Sequence, residues 1–170
     1  MIGFFAMRLS HAGTSDVGRK RTHNEDAYLL LPEESLFCVA DGMGGHASGE
    51  VAARIAVEEM AEFFRTTGRD EEATWPYRMD TALGYDENRL LTGVKLANLR
   101  IFERAASDER LKGMGTTLVA AYFPKGGSTL LVGHVGDSRA YLMRSGALRQ
   151  LTEDHSLLND YRKSRALTPE

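Results

Sequence analysis

The sequence predicts an α+β fold in which helices lie on a largely antiparallel sheet. Two observations carry this. The order of patterns is strands, then two helices, then a run of hairpin strands, and the connections between the strand-like runs are of hairpin length. Residues Arg8 to Val17 mix apolar and small polar types and read as a first strand, turning at Gly18. Gly18 to Asn24 is a polar, basic loop, and Glu25 to Leu31 is a strand with an acidic start. Pro32-Glu33-Glu34-Ser35 is a short connection into Leu36–Ala40, an apolar strand that ends at Asp41. Val51, Ile55, Ala56, Met60 and Phe63 recur at helical spacing and predict an amphipathic helix over 50–65. Residues 66–84 are polar and aperiodic and read as a surface insertion, and Leu90, Val94, Ala97, Ile101 and Ala105 mark a second helix over 86–107. The chain then changes period. Strands are predicted over 116–123, 128–135, 139–144 and 147–151, with turn chemistry at Pro124-Lys125-Gly126-Gly127 and Ser145-Gly146.

At 170 residues, the chain suits one domain with a core of its own. A net charge of −3 gives no reason to expect a nucleic acid or an anionic membrane as partner. The single Cys38 lies inside an apolar strand, so it reads as a small core residue in a reducing, cytoplasmic setting. The longest uncharged apolar run, Ile2 to Met7, is too short to span a bilayer and lacks the parts of a secretory signal.

The stretch that invites a functional reading is Leu36 to Glu50, where an apolar run meets Asp41 and four glycines follow within a few residues. Gly44 and Gly49 have phosphate-loop spacing, but Glu50 stands where a lysine would be needed, so a nucleotide-binding reading is weak. The bland reading is a tight turn, with glycines serving backbone shape. The carboxylates weigh against it. The acidic start of one strand and the acidic end of its antiparallel neighbour fall at one sheet edge, making Glu25, Asp26 and Asp41 spatial neighbours. Three carboxylates would repel one another unless a cation or protons intervened, and an all-oxygen set favours Mg²⁺ or Mn²⁺. Each of Glu25 and Asp26, taken singly, would pass for a solvated junction. Arg21 lies in a basic loop that would ordinarily be a solvated cluster, but beside a metal it offers the planar fork that grips a phosphate dianion. Asp137, in the Gly136-Asp137-Ser138 break of a β run, is a turn residue or a further metal ligand, and composition does not choose between them.

Several motifs in register then carry a family resemblance. Ser15-Asp16-Val17-Gly18, Arg21, Asn24-Glu25-Asp26, Val39 to Gly45, Gly49-Glu50, Met114 to Leu118, Val135 to Tyr141 and Leu151 to Ser156 closely resemble the metal-dependent Ser/Thr protein phosphatases of type 2C in their bacterial form. The resemblance spans nearly the whole chain outside residues 66–110. It implies an α-β-β-α sandwich of two antiparallel sheets flanked by helices, holding a dinuclear Mn²⁺ or Mg²⁺ centre with a third, weaker ion. By position it makes Glu25 and Asp41 metal ligands, Asp41 bridging, with the Gly42 carbonyl on one ion. Asp26 acts through metal-bound water, Arg21 holds the phosphate, and Asp137 serves the third ion. The implied reaction is hydrolysis of phosphoserine or phosphothreonine in proteins by a metal-activated water, without a covalent intermediate. The implied setting is a cytoplasmic monomer that opposes a Ser/Thr protein kinase.

Two departures qualify the resemblance. Met43 stands where eukaryotic relatives carry a His that protonates the leaving alcohol; His46 is a nearby substitute, and a turn or solvent role suits it better. The late Asp-Gly and Asp-Asn motifs of the family have no counterpart here. The chain therefore reads as the N-terminal portion, residues 1–170, of one phosphatase domain lacking its last strands, with 157–170 at the start of a flap. The alternative is a catalytically impaired or non-catalytic module that binds phosphoproteins or a kinase.

Overall fold

The computed structural model describes residues 8–44, 48–69, 74–126 and 129–155. In chain order the elements are β1 (Asp26–Leu31), β2 (Leu36–Met43), α1 (Ser48–Arg69), α2 (Tyr85–Ser107), β3 (Gly115–Thr116), β4 (Leu118–Tyr122), β5 (Leu131–Val135), β6 (Tyr141–Arg144) and β7 (Ala147–Gln150). A five-stranded sheet has the order β1-β2-β4-β5, with β3 paired to the far end of β2, and β6 and β7 form a separate two-stranded sheet. Every pairing is antiparallel. The fold class is therefore the expected α+β with two antiparallel sheets. Both helices belong to the five-stranded sheet, and no second helical layer lies among the described residues.

Alternation along β2 divides its side chains between two faces. Leu36, Cys38, Ala40 and Gly42 are buried, whereas Val39, Asp41 and Met43 are exposed on the other face. The buried face packs on α1, whose Ala52, Ala53, Ala56, Val57, Met60, Phe63 and Phe64 form a continuous apolar stripe. Small residues in the first turns bring the helix close to the strand. α2 then packs on α1 at Gly93, which admits Met60 so closely that an added Cβ would stand 2.9 Å from its sulfur, while Leu90 rests against Gly133 of β5.

Three expectations change, and a fourth falls outside what the structure describes. Residues 8–17 form no strand, because no described strand lies beside them to complete a ladder. They cross the outer sheet face instead, with the His11 ring 5.4 Å from Phe37 and Gly13 pressed on Tyr28. The strand predicted to end at Asp41 runs on through Gly42 and Met43, because β3 offers these two residues a partner. The stretch 66–84 is not all surface insertion: residues up to Arg69 complete α1, and half-buried Trp75 packs edge-on against Phe63 and beside Tyr85. The flap assigned to 157–170 lies outside the described residues.

The connection at Pro32–Ser35 is a 3₁₀ turn closed by Ser35 in the left-handed region, and it buries Glu34. Arg89 of α2 meets that carboxylate at 2.9 Å and also donates to Thr67 Oγ1 (2.8 Å), Tyr122 OH (3.2 Å) and the Phe64 carbonyl. Its guanidinium lies 4.3 Å from the centre of the Phe64 ring. Tyr122 in turn donates to Asp86 at 2.7 Å, and burial, the first cause, pushes its phenol up to about 12. One buried side chain thus ties α1, α2, β4 and the turn after β1. Arg89→Met removes the partner and leaves Glu34 an uncompensated buried charge. It is expected to cost about 3–5 kcal/mol in urea unfolding, and a loss under about 1 kcal/mol would show the network to be dispensable.

Candidate metal centre

The β1–β2 register sets Asp26 directly opposite Asp41, as the hairpin reading requires. Both side chains therefore emerge at the same strand edge. The Asp41 pKa is raised, first by desolvation, then by the Asp26 charge and the hydrogen bond with Asp26; Asp137 adds repulsion and Arg21 partly offsets it. Two carboxylates facing each other across a ladder repel unless a cation or a proton intervenes, so this pair is short of positive charge.

Each member is held by its own local structure. Asn24 Oδ1 accepts from the Asp26 amide at 3.0 Å, and the Asn24 amide group donates to Ser15 Oγ at 2.6 Å. Asp16 turns the chain by accepting from the Gly18 amide at 2.7 Å, with Gly18 at φ 74°. This turn precedes the exposed Arg21. The Glu25 carbonyl accepts from Gly42 N at 3.1 Å. Its carboxylate lies against Gly49 in the first turn of α1, so close that a Cβ there would meet Oε1 at 2.8 Å. The positive end of the helix favours a carboxylate at that place.

Asp41 is fixed from the other side by Thr117. The Asp41 amide donates to Thr117 Oγ1 at 3.1 Å, and the Thr117 amide donates to the Asp41 carbonyl at 2.9 Å. The same hydroxyl lies 2.6 Å from Ser138 Oγ, next to Asp137. Gly136, at φ 95°, sits so close to Thr117 that a side chain would collide with it. A small pocket of about 220 Å³ opens beside the pair, lined by Thr14, Ser15, Tyr28, Val39 and Ser138 with Asp26 and Asp41.

The structure thus sets Asp26 opposite Asp41, places Glu25 and Gly42 at the same edge, and sets Arg21 and Asp137 within electrostatic reach of Asp41. Among the described residues, no group of three or more His, Cys, Asp or Glu side chains is gathered tightly enough to hold an ion. The donor chemistry nevertheless fits a hard divalent cation: the paired groups are carboxylates that lack positive charge. Met43 is 62% exposed, and His46 lies outside the described residues. Thr117 and Ser138 were not singled out by residue type. Only their spacing within the Thr116-Thr117 and Asp137-Ser138 motifs marked their neighbourhood.

Residues 12–164 match the family model of protein phosphatase 2C. The chain is 37% identical over 163 residues to the serine/threonine phosphatase stp of Listeria welshimeri, spanning 92% of this chain and 58% of that protein. It is 35% identical over 162 residues to the serine/threonine protein phosphatase PstP of Mycobacterium tuberculosis, spanning 95% of this chain and 28% of the relative. The crystal structure of the M. tuberculosis PstP/Ppp phosphatase superposes with a TM-score of 0.72 at 34% identity, covering 92% of this chain and 59% of that one. The PstP catalytic domain in complex with 2 manganese ions superposes at 0.70, again with 34% identity, over 92% of this chain and 60% of that one.

A pH series tests the acidic pair. The folded chain holds the Asp41 proton more tightly than the unfolded chain. Stability without divalent metal is therefore expected to fall as pH rises from the ordinary aspartate range through the raised value. Asp41→Asn removes that contribution and is expected to raise the melting temperature in EDTA near neutral pH, by a few degrees at most. Thermal melts of wild type and variant across about pH 4 to 7 measure the difference. A variant that melts below wild type at neutral pH would contradict the repulsion.

Proposed function

This chain belongs to the protein phosphatase 2C family, and from that premise we propose that the protein hydrolyses phosphoserine and phosphothreonine in proteins at a divalent-metal centre. The observation that carries the reading is the Asp26–Asp41 pair, two carboxyls forced together at a strand edge with too little positive charge around them. Mn²⁺ or Mg²⁺ supplies that charge, and the chemistry it brings is activation of water and offset of the negative charge that develops at phosphorus.

The chain's own residues bind and orient. Asp41 is the central ligand, held at its backbone by Thr117 on one side and paired through β1 on the other. Glu25 approaches from the same edge, and the Gly42 carbonyl contributes a neutral oxygen. Asp26 holds water at the centre, and Asp137 serves a third, weaker cation. Arg21, exposed on its turn, grips the substrate phosphate with its planar fork. The chain spans 58% of the length of the Listeria relative. No helix among the described residues is long and apolar enough to cross a membrane. We place the protein in the cytoplasm, acting on phosphoproteins made by a Ser/Thr kinase. A second reading, a module that binds phosphoproteins or a kinase without turnover, is favoured by the lack of three gathered ligands among the described residues.

Phosphate release from a phosphothreonine peptide by the full-length protein decides between them. Turnover is expected to need Mn²⁺ or Mg²⁺, to stop in EDTA, and to fall on the order of a hundredfold or more in Asp41→Asn. Arg21→Ala is expected to raise KM roughly ten- to hundredfold, the loss of a charged hydrogen-bonding fork. Metal-independent turnover would sink the metal centre, and binding of the phosphopeptide without turnover would establish the second reading.

A further inference from the structure

Asp137 sits on a short break between β5 and β6 that carries no strand ladder, and its side chain is exposed. Left to itself, such a loop would place a carboxylate poorly. Two sets of contacts hold it. One is the Ser138–Thr117 hydroxyl pair, which leads to Asp41. The other comes from residues 151–155, the strap that follows β7. The His155 amide donates to the Gly136 carbonyl at 3.0 Å, and the Gly136 amide donates back to His155 Nδ1 at 3.3 Å. Arg139 closes a two-pronged ion pair on Asp154, with Nε and Nη2 at 2.8 and 2.5 Å from its two carboxylate oxygens. Gln150 reaches the Thr152 carbonyl at 2.8 Å, and the amide of Ala140 donates to Thr152 Oγ1 at 3.1 Å. The Leu151 amide donates to the Ala140 carbonyl at 2.8 Å. The imidazole of His155 also lies 4.7 Å from that of His134 on β5.

We propose that Arg139, Asp154 and His155 are positioning residues that hold the Asp137 carboxylate where it can take a divalent cation. The proposal rests on the reading of Asp137 given above. An exposed ion pair usually contributes little, but a bidentate pair inside a network is the exception. Here it brackets the loop. His155 grips the residue before Asp137 at two atoms, and Asp154 grips the second residue after it. Neither group need touch the cation. Partners of this outer kind typically change metal affinity ten- to hundredfold when removed, because a ligand displaced by a fraction of an ångström no longer fits the ion.

The test uses the full-length protein and two readouts that do not depend on turnover: amide hydrogen exchange over residues 136–139, and calorimetric titration with Mn²⁺. In Asp154→Asn, exchange over the loop is expected to quicken about tenfold, the loss of roughly one hydrogen bond's protection. The weakest class of Mn²⁺ sites is expected to weaken roughly ten- to hundredfold while tighter sites hold. Arg139→Lys keeps the charge but not the fork and is expected to fall between variant and wild type; should Asp154→Asn not fold, this variant decides alone. Unchanged exchange and unchanged Mn²⁺ titration in a folded variant would overturn the proposal. Asp137→Asn separates the two layers of inference. If it leaves the Mn²⁺ titration untouched, Asp137 binds no cation and the positioning role falls with it. If it weakens the last sites while the strap variants do not, the positioning role alone falls. Mn²⁺ bound without phosphate release would overturn the proposed activity and leave the strap result standing.

Discussion

The close approach of Gly42 to Gly49 sets the geometry of everything around it. The backbone of β2 and the first turn of α1 meet with no room for a side chain on either residue. A Cβ on Gly49 would strike Gly42 and the Glu25 carboxylate together, at 2.8 Å from each. Because the helix seats so close, the inward face of β2 can be filled by Cys38 and Ala40 against Ala52, Ala53 and Ala56, with little volume wasted. The opposite parity of the strand then turns Asp41 outward, away from the core and toward Asp26. A carboxylate can be presented at this edge only because the residue after it has no side chain.

The two ends of β2 are electrostatic opposites. At Leu36 the neighbouring turn delivers Glu34 to Arg89, whose hydrogen bonds run to partners on α1, β4 and the turn itself. That charge pair is buried and answered. At Asp41 the charges are alike and partly open to water. Such a contrast along one strand is the usual division between a region that holds a fold together and one kept ready for a ligand.

Much of this was readable from the chain, and the physical reason differs from element to element. Helical spacing located α1 and α2 because an amphipathic period survives without knowledge of its partner. The hairpin β1–β2 placed Asp26 beside Asp41 because a short connection leaves little choice of register. What depended on distant partners was not readable. Glu34 reads only as part of a short connection, and it is Arg89, 55 residues away, that meets it where it is buried. β2 runs past Asp41 because Gly115 and Thr116 arrive from beyond two helices. Trp75 reads as loop until Phe63 and Tyr85 are placed around it. At the site, motif spacing marked Asp137 and the Asp154-His155 neighbourhood, but nothing in residue type said that one brackets the other.

The Arg89 knot has a consequence for how the molecule breathes. It clamps the C-terminal half of α1 to the sheet, whereas the opening turn of that helix rests on backbone contact beside a strained pair of acids. Thermal fraying should therefore begin at the acidic edge and die out toward Arg89, so that the helix opens like a page from its binding. A cation seated at that edge would act as a clasp on the free margin, and the ion's presence would be felt in the mobility of α1 well before it is felt in the core.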